Sequence, residues 1–260
     1  MPSQFEPRFG QAAEAYNTYR PEYPSAAFQL ILAHVSPDHR HLAMDLGAGT
    51  GRATRNLADH FSKVIAVEPD ARMAEKIRGL GPHVVVRIAT AEDCRQQPGS
   101  VDLILIANAL HWMDPLVVMK NVTRWLRPGG ILALVDPPYP RTPEPIGGIV
   151  RQEFHERWES FRDPRLGKAG DRRERIWQKL IVSTPGLSLI EEKTIASILP
   201  LTPPEFVGFW QSTSYGSAYA RSLDDPAAYW QDLESRFRGA WPQEKIPVDF
   251  SPAVLLAKKE

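Results

Sequence analysis

The stretch Asp45-Leu46-Gly47-Ala48-Gly49-Thr50-Gly51-Arg52 decides the fold of this chain. It follows a short apolar run, Leu42-Ala43-Met44, and leads into Ala53-Thr54-Arg55-Asn56-Leu57-Ala58, which reads as a helix. An acid at a strand end, then a turn with glycine at alternate positions, then a helix: this is the start of a crossover in a parallel α/β sheet. Glycine in such a turn lets a ligand approach the backbone where any Cβ would collide with it. A second acid, Glu68, ends the next predicted strand, Val64-Ile65-Ala66-Val67, where a carboxylate can accept hydrogen bonds from two ribose hydroxyls. Together the two features call for an adenosine-containing ligand at the first crossover.

The glycine spacing narrows that ligand. A dinucleotide fingerprint is G-x-G-x-x-G, with a helix N-terminus aimed at pyrophosphate. Here the spacing is G-x-G-x-G, and Arg52 stands where the third dinucleotide glycine would be. This speaks against an NAD-dependent oxidoreductase. No G-x-x-x-x-G-K-[ST] sequence occurs, so a phosphate cradle has little support. An acid just before the glycines suits a cationic amino group better than a pyrophosphate. S-adenosylmethionine carries that amino group and no phosphate.

At this point the residues resemble a known family. Asp45-Leu46-Gly47-Ala48-Gly49-Thr50-Gly51 is similar to the first motif of class I S-adenosylmethionine-dependent methyltransferases. Val67-Glu68-Pro69-Asp70 followed by Met73 resembles their second motif, and Ala89-Thr90-Ala91-Glu92-Asp93 resembles the loop that meets the adenine. Leu126-Arg127-Pro128-Gly129-Gly130-Ile131-Leu132 resembles their turn into the fifth strand. Asn108-Ala109-Leu110-His111-Trp112-Met113-Asp114 and the N-terminal Tyr16, Tyr19-Arg20-Pro21-Glu22-Tyr23-Pro24 resemble a small-molecule branch that includes trans-aconitate methyltransferases. The motifs cover roughly residues 40 to 136.

The resemblance implies S-adenosylmethionine as cofactor and assigns roles. Asp45 meets the amino group of the methionine part, directly or through water, or else caps the turn. Gly47, Ala48 and Gly49 lie against the ligand, and Gly51 serves helix packing. Glu68 takes the ribose, and Pro69 follows it in the same motif. Met73 covers the adenine or simply packs. Ala91 supplies backbone contact, and either Glu92 or Asp93 meets the adenine amino group; spacing leaves that choice open. Asn108 lines the donor pocket. Tyr16 and Arg20 reach the donor carboxylate, or belong to aromatic packing and the surface. His111 reads two ways, as a base or substrate-orienting group, or as a histidine packed beside Trp112. Trp112, Tyr139 and Trp210 are candidates for the acceptor cavity. Asp136-Pro137-Pro138-Tyr139 looks like the signature of amine-modifying methyltransferases, but it follows the fifth predicted strand rather than the fourth and reads as a rigid exit turn.

The rest of the chain predicts a single domain over 1–260. It is α/β, with a Rossmann-like, seven-stranded, mostly parallel sheet, helices on both faces and a helical cap. N-terminal helices over the donor site occupy 1–36 and the donor-binding core 37–136. The cap takes 137–186 and 203–245, and final strands take 187–200 and 252–258, the last read as an edge strand. Lys plus Arg and Asp plus Glu both number 31, so no basic surface marks a nucleic-acid partner. Between Arg162 and Lys179, seven basic residues face three acidic ones, which reads as a solvated helix face or as attraction for an acidic acceptor. The single cysteine, Cys94, excludes an intrachain disulfide and a cysteine-built metal site. Residues 1–6 lack an apolar signal core, and the apolar stretch near Leu103 to Met113 is too short to span a bilayer. The expected setting is cytoplasmic, with no membrane and no metal.

The expected reaction is methyl transfer to a small-molecule acceptor, at a carboxylate or hydroxyl oxygen. Such a displacement needs nucleophile, methyl carbon and sulfur held in line and water excluded. The alternatives are an RNA or protein methyltransferase, or an S-adenosylmethionine-binding protein without catalysis.

Overall fold

The computed structural model describes residues 18–164 and 173–260. Seven strands form one sheet. β1 (Leu42–Leu46), β2 (Lys63–Val67), β3 (Val84–Arg87), β4 (Val101–Ala107), β5 (Leu126–Asp136), β6 (Leu187–Thr194) and β9 (Ala253–Lys259) lie in the order β3-β2-β1-β4-β5-β9-β6. β1 pairs in parallel with both β2 and β4, so strand order reverses at β1. β9 runs antiparallel to β5 and to β6. In such sheets ligands bind beyond the carboxyl ends of the strands at the reversal.

The strand sequences explain the two-sided packing. All seven residues of β4 are buried, as a central strand covered on both faces requires. On one face, Ala43, Leu103, Leu105, Ile131 and Ala133 meet Phe28 and Ile31 of α1 (Ser25–Ala33) and Leu57 of α2 (Arg52–Ala58). On the other, Met44, Ile104, Ile106, Leu132 and Leu134 meet Val118, Val122 and Trp125 of α4 (Pro115–Trp125). That face also holds Trp177 and Ile181 of α6 (Arg173–Val182). The helix starts are written locally. Asp70 caps α3 (Ala71–Glu75) by accepting from Arg72 and Met73 N–H, and Asp114 caps α4 ahead of Pro115.

Beyond β5 the chain builds the cap. α5 (Ile146–Glu153) widens into a π turn over Phe154–Trp158. α7 (Pro203–Gln211), α8 (Ser214–Arg221) and α9 (Pro226–Ala240) pack on it, with a separate two-stranded ribbon of β7 (Ile198–Leu201) and β8 (Ile246–Asp249). The buried side chains are mostly aromatic: Phe154, Trp158, Phe206, Phe209, Trp210, Tyr215 and Phe237. Glu153, fully buried, accepts from Arg157 at 2.6 Å, from the Tyr229 hydroxyl at 2.7 Å and from Arg236.

Four boundaries differ from the sequence reading. β9 is not an edge strand but sits between β5 and β6. Its fully buried run Val254-Leu255-Leu256-Ala257 is what a central strand needs. β6, with exposed Glu192 and Lys193, is the charged edge. The predicted strand 187–200 is two strands in two sheets, because the chain turns at Ile195, whose N–H goes to Pro252 O. α6, expected in the cap, lies on the sheet, with Trp177 turned into the sheet core. α1 also packs on the sheet; the part of the N-terminal region that borders the site is Arg20–Pro24. Residues 1–17 lie outside the described residues. Among the described residues no helix is long and apolar enough to cross a membrane, and no group of three His, Cys, Asp or Glu is placed to hold a metal ion.

Candidate functional site

A cavity of about 830 Å³ opens at the carboxyl ends of β1, β2, β4 and β5, between the sheet and the cap. The glycine turn forms its floor. Gly47, Gly49 and Gly51 all have positive φ, at 72°, 57° and 85°. At position 47 an added Cβ would fall 2.5 Å from Ala109 Cβ and 2.9 Å from Met113 Cε. The absence of a side chain there lets the loop after β4 close onto the turn, a packing demand in addition to the expected ligand contact. At Gly49 the nearest atom to a Cβ is Met73 Cε at 3.8 Å, so the need is the left-handed backbone itself. Gly51 backs onto Ile77 and Leu80, which matches the packing role read for it.

Glu68 ties the two donor motifs together. One carboxylate oxygen accepts from Gly49 N–H at 2.8 Å and the other from Asp70 N–H at 2.9 Å. Each oxygen keeps a second lone pair for a ligand hydroxyl. Burial pushes the Glu68 carboxyl above its ordinary range, and the two backbone donors pull it back. Asp45 is fully buried. Its Oδ2 accepts from Thr54 Oγ1 at 2.6 Å, while its Oδ1 is buried with no hydrogen-bond partner. Burial raises the Asp45 carboxyl to about 7, against the opposing pull of Thr54. A buried carboxylate oxygen lacking a donor, at the wall of a cavity, fits a cationic amino group.

Pro69, Met73, Ala91, Glu92, Asn108, His111, Trp112 and Tyr139 also line the cavity, together with Ala48 and Arg20. Asn108 adopts φ 50° at the end of β4, with its N–H given to Val135 O at 2.7 Å. His111 is buried and its ring lies 4.9 Å from that of Trp112, tilted by 52°.

Two candidates fall elsewhere. Asp93 is exposed and outside the cavity, held by Thr90, whose hydroxyl donates to it at 3.0 Å. Of the two acids only Glu92 lines the cavity, and one of its oxygens accepts from Asp114 N–H at 2.7 Å. Trp210 is fully buried behind the cavity wall, with its ring 5.7 Å from Tyr139 and 4.8 Å from Trp158. Its place in the lining is taken by Tyr215 and Phe209. Tyr16 lies outside the described residues.

Several cavity or support residues had not been singled out for the site. Thr54 holds Asp45; a polar residue at a fully buried helix position was the available signal. Asn121 donates to Ala91 O at 3.2 Å and Glu92 O at 3.1 Å, fixing the third-strand loop. Arg52 pairs with Glu22 at 3.0 Å, and both line the cavity. Arg162, the first residue of the basic run read as a solvated face or as attraction for an acidic acceptor, enters the cavity from the cap.

Comparison with known proteins agrees with this geometry. The family described as a methyltransferase domain matches residues 44–134. That segment is similar to a methyltransferase domain. It runs from β1 to β5 and holds the glycine turn, Glu68 and the β4 loop. A Mycobacterium tuberculosis protein named as a methyltransferase is 41% identical over 127 residues, covering 49% of this chain and 51% of that protein. The match thus spans about half the length of that relative. A Dictyostelium discoideum protein named as a methyltransferase is 29% identical over 262 residues, covering 100% of this chain and 97% of the other. A solved structure from Anaeromyxobacter dehalogenans, named as a type II methyltransferase, superposes with a TM-score of 0.71 at 24% identity. It covers 93% of this chain and 98% of that one. The fold is that of Rossmann-like methyltransferases. S-adenosylmethionine is the cofactor that goes with such a domain, and the residues at the first crossover fit it.

Proposed function

We propose that this protein transfers a methyl group from S-adenosylmethionine to a small-molecule acceptor. One observation carries the reading: the donor motifs and the aromatic cap line the same cavity. Its volume falls within the range of small-molecule sites, about 300–1,000 Å³. A macromolecular acceptor calls for an open groove or an added binding domain.

Bound S-adenosylmethionine supplies an activated methyl group on a sulfonium. The chain's own residues bind, orient and exclude water. Asp45 takes the amino group, and Glu68 takes the ribose while holding Gly49. Met73, Pro69, Ala91 and Glu92 form the adenine end. Asn108 and His111, on the loop after β4, border the space where acceptor and donor meet. The bond from methyl carbon to sulfur breaks as the bond to the acceptor oxygen forms. S-adenosylhomocysteine leaves, together with a proton when the acceptor is a hydroxyl. The His111-Trp112 pair in the lining supports a place near the branch that includes trans-aconitate methyltransferases.

The test is an acceptor screen scored by released S-adenosylhomocysteine, with small carboxylic acids and phenols in one arm and bulk RNA and protein in the other. Turnover in the first arm alone is expected. Turnover only with RNA or protein, or no binding of S-adenosylhomocysteine in calorimetry, overturns the reading.

A further inference from the structure

The cap and the N-terminal region together bring two guanidinium groups and two phenols to one end of the cavity. Arg20, from the N-terminal region, lies with its guanidinium carbon 4.8 Å from the Phe209 ring centroid and donates to Ser212 O at 3.5 Å. Arg162, after the π turn, lies 5.7 Å from the Phe154 ring centroid. Tyr139 and Tyr215 stack at 6.1 Å with their planes 12° apart, and both meet the Phe154 ring edge-on, at 5.5 and 5.9 Å. All four residues line the cavity.

We propose that Arg162, Arg20, Tyr139 and Tyr215 form the seat for a carboxylate group of the acceptor, carried on an apolar or aromatic body; this moves Arg20 from the donor carboxylate, where the sequence reading put it, to the acceptor. The proposal deepens the methyltransferase reading and rests on it.

The chemistry of the four groups converges on such a ligand. A guanidinium stays charged at any physiological pH and offers a planar fork of N–H donors that matches a carboxylate. Each guanidinium lies over an aromatic ring, in cation–π contact through its face. Burial pushes the Tyr139 hydroxyl well above the ordinary phenol range and raises that of Tyr215, so both remain protonated. Both arginines act electrostatically on both phenols, so positive potential and neutral donors share one place. A carboxylate has about four acceptor sites on two oxygens. The surrounding wall of Phe209, Phe250 and Trp112 would cover an apolar body. Asp45 and Glu68 lie at the donor motifs, and Glu22, Arg52 and Asp136 also line the cavity.

The probes are phenylacetate and 3-phenylpropionate, each paired with its primary amide. They are titrated calorimetrically into the full chain, with and without saturating S-adenosylhomocysteine. At least one acid should bind tenfold or more tighter than its amide. Arg162→Gln should weaken that acid at least tenfold and leave its amide and S-adenosylhomocysteine within twofold. Thermal melts report whether the variant folds. If it does not, Arg162→Lys is read instead, and should weaken the acid threefold or more because the fork is lost. Equal binding of acid and amide, no acid binding, or unchanged acid affinity in the folded variant overturns the proposal. So does a loss of S-adenosylhomocysteine affinity in Arg162→Gln, which would move the arginine to the donor end. Failure of S-adenosylhomocysteine to bind strikes the methyltransferase reading instead, since the acid–amide comparison is also made without it.

Discussion

The donor half and the cap are built by different means. From β1 to β5, position is set by backbone: glycines at positive φ, acids at strand ends, N–H groups given to Glu68. In the cap, position is set by large side chains from distant segments, such as Trp158, Trp210 and Tyr215. Buried ion pairing in the cap gathers on one carboxylate, Glu153. A backbone-built site tolerates little change at its turns but leaves the surrounding side chains free. A cap built of packed rings tolerates change in backbone signals but couples many residues through contact. On the function proposed above, the first half binds the constant donor and the cap selects the acceptor.

The sharpest way to break this contrast is at Gly47. Gly47→Ala combines backbone strain with overlap against Ala109. Gly79→Ala, at φ 99° with nothing within 4 Å of its Cβ, has strain alone, about 1–3 kcal/mol. Overlap in a packed site adds roughly 1–3 kcal/mol. Urea denaturation should therefore place Gly47→Ala below Gly79→Ala by about that much. Equal losses would mean that the β4 loop yields and that Gly47 is not a packing glycine.

Glu68→Ala comes next. It removes a charged acceptor from Gly49, Asp70 and the ribose at once. A hydrogen bond to a charged group contributes ~1.5–3 kcal/mol, and ~1.4 kcal/mol is tenfold. S-adenosylhomocysteine affinity should fall by about tenfold or more in calorimetry; an unaltered affinity removes Glu68 from the site. The matching change in the cap is Glu153→Leu. It should lower unfolding stability by about 1.5–3 kcal/mol while S-adenosylhomocysteine affinity stays within twofold. If donor affinity falls with it, the two halves are one cooperative unit and the contrast fails.

The same difference explains what the sequence made legible. The positions of Asp45, the glycines, Glu68 and Asn108 at strand ends could be read because they depend on neighbours within a few residues. Gly47 was read as ligand contact; that its Cβ space is also claimed by Ala109, sixty-two positions away, is something no local pattern records. Asp93 lies outside the cavity because it is bonded by the Thr90 hydroxyl, a side-chain contact invisible to spacing. Trp210 was correctly placed in the cap but on the wrong side of the wall, since an aromatic residue that lines a cavity and one that backs it look alike in sequence. β9 was misplaced at the edge on its short length, although its unbroken apolar run described a strand covered on both faces.

A smaller effect separates the halves by pH. The Asp45 carboxyl is raised by burial to about 7 from an ordinary 3.8. Its raised position means that the folded, ligand-free protein is favoured most below the unfolded value, and that this advantage is lost as pH rises through 7. Asp45→Asn should remove that part of the stability profile. A cationic amino group prefers the carboxylate, so binding below pH 7 must release a proton. S-adenosylhomocysteine affinity should fall by up to about tenfold per pH unit below 7. Titrations in buffers of different ionisation enthalpy would detect the released proton. A flat profile between pH 5.5 and 8 would place the amino group elsewhere.

The smallest expected effect lies where the halves meet. His111 belongs to the donor half by sequence, yet its neighbour Trp112 packs against the cap. If His111 orients the acceptor, His111→Ala should lower turnover by about two- to tenfold, the size of one lost hydrogen bond of ~0.5–1.5 kcal/mol. S-adenosylhomocysteine affinity should stay constant. A loss of 10²-fold or more, on the order of general-base catalysis, would promote it to the proton acceptor for a hydroxyl substrate. No change in either measurement would return it to packing against Trp112. His111→Asn sharpens the reading: an amide restores one hydrogen bond but does not take a proton at neutral pH, so recovery of turnover separates orientation from proton transfer.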